Sequence, residues 1–125
     1  GLLALERNPH SRAAEVRLGK LYEDMQEAYL LALLPDEAGE ALHQAALHWQ
    51  RAVELYPTDP RTRISAGKVW LEWSQESDDP QARAIAAEHF NAAREIDDSR
   101  PPGEVMRLRP AEREELEQYL QELQG

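Results

Sequence analysis

The chain has no cysteine, so histidines and carboxylates are what remain for nucleophilic, acid–base or metal chemistry. His43 and His48 are five residues apart and diverge on a helix, which makes them a poor metal pair. His10 falls in a turn and His89 adjoins the ring of Phe90, so all four histidines are expected to be ordinary surface or boundary residues. The carboxylates of Glu23-Asp24, Asp78-Asp79 and Asp97-Asp98 are adjacent in sequence. Adjacent helical residues point about 100° apart, so these pairs cannot work as a general acid and base across one substrate. Helix caps and solvated turns account better for the two aspartate pairs. Gly19 and Gly67 stand alone within helical stretches, with no phosphate-cradling loop around them. These residues predict a chain that is not an enzyme and that uses neither a metal nor a cofactor.

The basic residues are more informative. Of 14, six lie in two short stretches: Arg12, Arg17 and Lys20, then Arg61, Arg63 and Lys68. Like charges held together repel, and a chain of net charge −10 has acids enough to scatter among them. Their clustering points to an anionic partner. The overall acidity argues against binding along a nucleic-acid backbone or on an anionic membrane surface. No run of about 18 apolar residues is present, so no membrane insertion is expected in this segment.

Ala, Leu, Glu, Gln and Arg dominate and β-branched residues are few, which favours helix. Residues 1–8 read as the tail of a helix with Leu2, Leu3 and Leu5 available for packing, and Pro9-His10-Ser11 as a turn with Ser11 as N-cap. A long helix over 12–34 should pack on a stripe of Ala14, Leu18, Leu21, Met25, Ala28 and Ala32, with Tyr22 and Tyr29 beside it. Pro35-Asp36 should break it, and a second helix should run to about Leu55. Asp59-Pro60 and Asp79-Pro80 each place a capping aspartate before a proline at the first helical position. The helix after Pro60 carries Ile64, Gly67, Trp70, Leu71 and Ser74. The helix over 80–96 carries Ala86, Phe90 and Ala93. After an irregular stretch, Leu116, Tyr119, Leu120 and Leu123 mark the apolar stripe of a last helix. At least five helices and no sheet are expected.

Ala45, Trp49, Ala52 and Pro57 fall at intervals of four, three and five, and Ala86, Phe90, Ala93 and Asp98 repeat those intervals. Leu18-Gly19-Lys20-Leu21-Tyr22 has a looser counterpart in Ala66-Gly67-Lys68-Val69-Trp70, and each glycine lies ten residues past a proline. Both patterns resemble the tetratricopeptide repeat family, the first its second helix and the second its first. Glu15 and Arg63 stand where that family usually has a tryptophan. Its period is 34 residues, whereas Pro9 and Pro57 are 48 apart and Trp49 and Phe90 are 41 apart. The excess suits helices lengthened by about two turns and about one turn. The resemblance implies an all-α, tetratricopeptide-like antiparallel helical-repeat solenoid with a C-terminal capping helix. A partial repeat at 1–9 would precede repeats at about 10–57 and 58–98, an irregular linker at 99–109 and the capping helix at 110–125.

In that family the first-type helices line a concave face that holds an extended peptide. The resemblance therefore implies a non-catalytic interaction scaffold binding a protein or peptide, and the basic residues imply that this partner is acidic. Arg17, Lys20, Arg61, Ile64, Lys68, Leu71 and Trp73 are the expected contact residues, with Trp73 or Leu71 supplying apolar contact. Asparagines that clamp a C-terminal carboxylate in some members are missing here. The alternative function is a structural or oligomerisation segment of a larger membrane-associated or enzymatic protein. Ala92–Asp98, the Pro-rich turn and the acidic last helix resemble the ends of bacterial polysaccharide-ligase-like membrane proteins. Localisation follows the parent: cytoplasmic by default, extracytoplasmic if the parent is a membrane protein. Opening inside a repeat, the chain is expected to self-associate through Leu2, Leu3 and Leu5.

Overall fold

In a computed structural model, residues 11–101 and 103–124 are described, and the expectations for Leu2, Leu3, Leu5, Pro9 and His10, including self-association, lie outside them. Among the described residues there are five helices and no strand, so the protein is all-α. The chain divides into two compact units, Gly1–Pro57 and Thr58–Gly125.

The first unit is a helical hairpin of α1 (Arg12–Leu31) and α2 (Pro35–Leu55). The Ser11 hydroxyl caps α1 by accepting from the Ala14 N–H at 3.2 Å. The helix stops three residues before the expected end. Leu33 takes φ +62° and the Leu34 N–H reaches back to the Tyr29 carbonyl at 2.8 Å, closing the helix in the Schellman manner. Pro35 then serves as the first residue of α2 and not as a breaker, because its missing N–H is one the helix start leaves unbonded. Asp36 and Glu37 in that first turn face the positive end of the helix dipole.

The packed face of α1 departs from the expected stripe. Glu15 and Gly19 are its buried residues, with Tyr22, Gln26 and Tyr29 half-buried along the same line, while Leu21 and Ala28 are exposed. The reason lies on α2. Trp49 needs a partner without a side chain, and a Cβ on Gly19 would stand 2.7 Å from its Nε1. The glycine therefore sets the rotation of α1, with Leu21 turned outward and Leu18 left half-buried. Ala45 and Ala52 flank the ring and are fully buried, as expected for a plug between small residues.

The second unit holds α3 (Pro60–Ser77), α4 (Pro80–Asp98) and α5 (Pro110–Gln124). Both Asp-Pro starts form as expected: Asp59 accepts from Arg61 N–H at 3.0 Å and Asp79 from Gln81 N–H at 2.9 Å. The α3–α4 pair repeats the packing of the first hairpin. A Cβ on Gly67 would stand 2.8 Å from Cε1 and Cζ of Phe90, whose flanking Ala86 and Ala93 are fully buried. The last helix is docked, as expected of a capping helix: Leu116 and Leu120 are buried, and the Tyr119 ring stacks on Phe90 with centroids 4.9 Å apart.

Asp97 corrects the expectation of a solvated Asp97-Asp98 turn. It is buried, accepting from the Leu108 N–H at 2.7 Å and from Arg113 Nη1 at 2.8 Å. Its partners lie 11 and 16 residues onward, beyond any local pattern. Arginines hold the irregular stretch between α4 and α5 as well. Arg100 donates to the carbonyls of Met106 and Thr58, and Arg107 donates to that of Arg100.

Candidate functional site

Three of the seven expected contact residues come together. Arg61, Ile64 and Lys68, with Ser65, line a cleft of about 260 Å³ whose far wall is Glu112 and Glu115 of α5. Arg61 presents Nε and Nη2 to the two oxygens of Glu112, each at 2.9 Å, a bidentate fork. That carboxylate also accepts from the Arg109 N–H at 2.8 Å, closing the start of α5. The hydrogen bond from Arg61 pulls the Glu112 carboxyl below the usual carboxylate range and raises the guanidinium in return. Lys68 meets Glu115 at 3.2 Å, with both side chains about half exposed. Each cation in the cleft thus faces a carboxylate from α5.

The other four expected residues are placed differently. Arg17 and Lys20 are exposed on α1. Leu71 is buried in α3 at 4% exposure, and Trp73 is half-buried. Ile64 is also buried, so its side chain forms the floor of the cleft and not a projecting contact.

The histidines correct the expectation that all are ordinary surface or boundary groups. In each hairpin the residue four before the glycine meets the histidine just before the ring. In the first, His48 Nδ1 lies 2.6 Å from Oε2 of buried Glu15, and the imidazole stacks on Tyr22. In the second, His89 is buried with Nδ1 3.3 Å from Arg63 Nη1. The geometry is repeated and the charge is inverted. Burial, then the neighbouring guanidinium, pushes the His89 imidazole down to about 4, so it is neutral at pH 7 and can accept from Arg63. Burial likewise lowers Arg63 from its ordinary value. The signal was in the sequence: Glu15 and Arg63 occupy one motif position, His48 and His89 another.

A second concave surface was not anticipated. One face of the α1–α2 hairpin forms a groove of about 420 Å³, lined by Tyr22, Met25 and Tyr29 on α1 and by Glu37, Glu40 and Gln44 on α2, with Ala41 between them. Both sets are spaced three and seven residues apart, the spacing of one helix face. Just past Tyr29 in the chain, Leu30, Leu31, Leu33 and Leu34 are all exposed.

Among the described residues no group of three His, Asp or Glu side chains is placed to hold a metal ion. None of the described helices is long and apolar enough to cross a membrane. No protein-family model, curated protein or solved structure matches this chain.

Proposed function

We propose that this chain is a tetratricopeptide-like helical-repeat module that binds a segment of another protein and catalyses no reaction. The observation that carries this reading is the repeated plug: Gly19 against Trp49 in one hairpin and Gly67 against Phe90 in the other, each ring flanked by buried alanines. Two helix pairs built on the same contact, in phase with two sequence motifs, are what a repeat scaffold needs. Lys20 and Lys68 directly follow the two glycines, and both are exposed.

The contacts offered to an acidic segment are Arg17 and Lys20 in the first unit and, taken separately, Lys68 in the second. At Lys68 it exchanges with Glu115, an exposed pair worth about 0–1 kcal/mol. Arg61 is bound more firmly by Glu112 and contributes less. With Leu71 and Ile64 in the core, Trp73 supplies the apolar contact. The test is fluorescence anisotropy with labelled acidic and neutral amphipathic peptides on the wild type and on Lys20→Glu with Lys68→Glu. Saturable binding of the acidic peptide that weakens on charge reversal and with added salt is expected. Unchanged affinity in a variant that keeps its circular dichroism would remove these lysines from the site. Absence of saturable binding to any peptide would sink the module reading.

The exposed leucines at the α1–α2 turn favour a second reading, a packing or oligomerisation surface within a larger membrane-associated or enzymatic parent, the polysaccharide-ligase-like case included. Sedimentation of the wild type against Leu31→Glu with Leu33→Glu tests it. A wild type that stays monomeric at high concentration counts against self-association there.

A further inference from the structure

We propose that the groove on the first hairpin is a docking site for a basic, amphipathic helical segment of a partner protein. This is a different face from the basic residues discussed above, and it selects the opposite charge.

Shape comes first. The groove lies along two antiparallel helices and is open on one side, and its α1 wall from Tyr22 to Tyr29 spans about 10 Å, or two helical turns. That form suits a helix laid lengthwise with anchors three and four residues apart. Met25 and Ala41 offer it an apolar, adaptable floor.

Charge then decides the kind of helix. The polar wall is Glu37 and Glu40, and no basic residue lines the groove. Both glutamates lie at the beginning of α2, with Asp36 beside them in its first turn. The positive end of the helix dipole favours negative charge in that first turn, where Asp36 and Glu37 stand. Lysines or arginines of an incoming helix would meet Glu37 and Glu40, and the ring of Tyr29 attracts the same cations. An acidic segment or an anionic lipid surface would be repelled.

The apolar half of the incoming helix is accounted for by what lies past Tyr29. From Ala28 to Pro35 the chain carries no charge, and Leu30, Leu33 and Leu34 are exposed there. A helix with leucines on one edge and lysines on the other covers both surfaces at once, which neither a small cation nor a uniformly basic tail does.

The probe is a short synthetic Leu/Lys amphipathic helix, with its Leu/Glu counterpart as the charge-inverted control, titrated by fluorescence anisotropy. The wild type should bind the Leu/Lys peptide and not the Leu/Glu peptide. Glu37→Lys with Glu40→Lys should weaken binding roughly tenfold or more, and Glu37→Gln with Glu40→Gln by less. Tyr29→Ala should weaken it too. Glu76→Lys with Glu122→Lys makes the same change in net charge at exposed sites outside the groove and should alter affinity by no more than about twofold. In a methyl spectrum, the Met25 resonance should shift on binding. An equal loss in the Glu76/Glu122 variant would mean long-range attraction to an acidic protein, and would overturn the site. Unchanged affinity in both Glu37/Glu40 variants would overturn it as well, as would no saturable binding of the Leu/Lys peptide. The acidic-peptide measurement at Lys20 and Lys68 is separate, so either reading can fail while the other stands.

Discussion

Replacing Gly67 by alanine would put a methyl group 2.8 Å from Cε1 and Cζ of Phe90. The ring has nowhere to retreat. It is fully buried, Tyr119 is stacked on it, and Ala86 and Ala93 flank it. Overpacking of this kind costs about 1–3 kcal/mol. Against that, alanine in place of glycine favours a helix by about 1 kcal/mol. The net effect should be destabilising by up to roughly 2 kcal/mol. Gly39, inside α2, provides the control, because a Cβ there meets nothing within 4 Å. Gly39→Ala should therefore stabilise, by about 0.5–1 kcal/mol. Gly19→Ala should fall between the two. The Trp49 ring is 4% exposed where Phe90 is fully buried, and any tilt away from the new methyl would weaken the 2.9 Å hydrogen bond that its Nε1–H donates to Glu23. Urea unfolding followed by circular dichroism compares the three midpoints, which are interpretable as stability if the slope is unchanged. If Gly67→Ala moves its midpoint upward like Gly39→Ala, the glycine–ring plug is not what joins α3 to α4.

Three further outcomes are expected. Asp97→Ala should cost about 3 kcal/mol by orphaning the buried Leu108 N–H and uncoupling Arg113, and hydrogen exchange should show residues 103–109 opening first. The His89 imidazole titrates at about 4 when folded and near 6.5 when unfolded, so between those values the unfolded chain binds more protons and stability rises with pH. His89→Gln should flatten this rise, worth up to about 3 kcal/mol, in urea midpoints measured from pH 4 to 7. Leu33→Gly should raise the melting temperature, gaining about 1 kcal/mol by relieving a left-handed backbone that leucine adopts at a cost; a lower melting temperature would show that the Leu33 side chain contributes to packing.

Much of the fold was legible in the sequence because it is written in local rules. Asp59-Pro60 and Asp79-Pro80 both start helices, since the aspartate satisfies an open N–H and the proline has none to satisfy. The alanine–ring–alanine intervals place Trp49 and Phe90 in cores because a helix of fixed period brings those positions onto one side. The apolar stripe of the last helix was read for the same reason, and Leu116 and Leu120 are buried as it requires.

What was not legible depends on partners distant in sequence. The rotation of α1 is set by Trp49 arriving from the next helix, so Gly19 turns inward and Leu21 outward against the apolar pattern. Asp97 looks like a surface turn residue until Arg113 and the Leu108 N–H, from later in the chain, enclose it. Glu15 with His48, and Arg63 with His89, are each unremarkable alone, and become a charge-inverted pair of contacts when the hairpins close. The acidic groove arises in the same way. Tyr22, Met25 and Tyr29 form a stripe on one helix, and Glu37, Glu40 and Gln44 a stripe on another. Periodicity reveals each stripe, but only the packing of α1 against α2 sets them side by side as the walls of one groove.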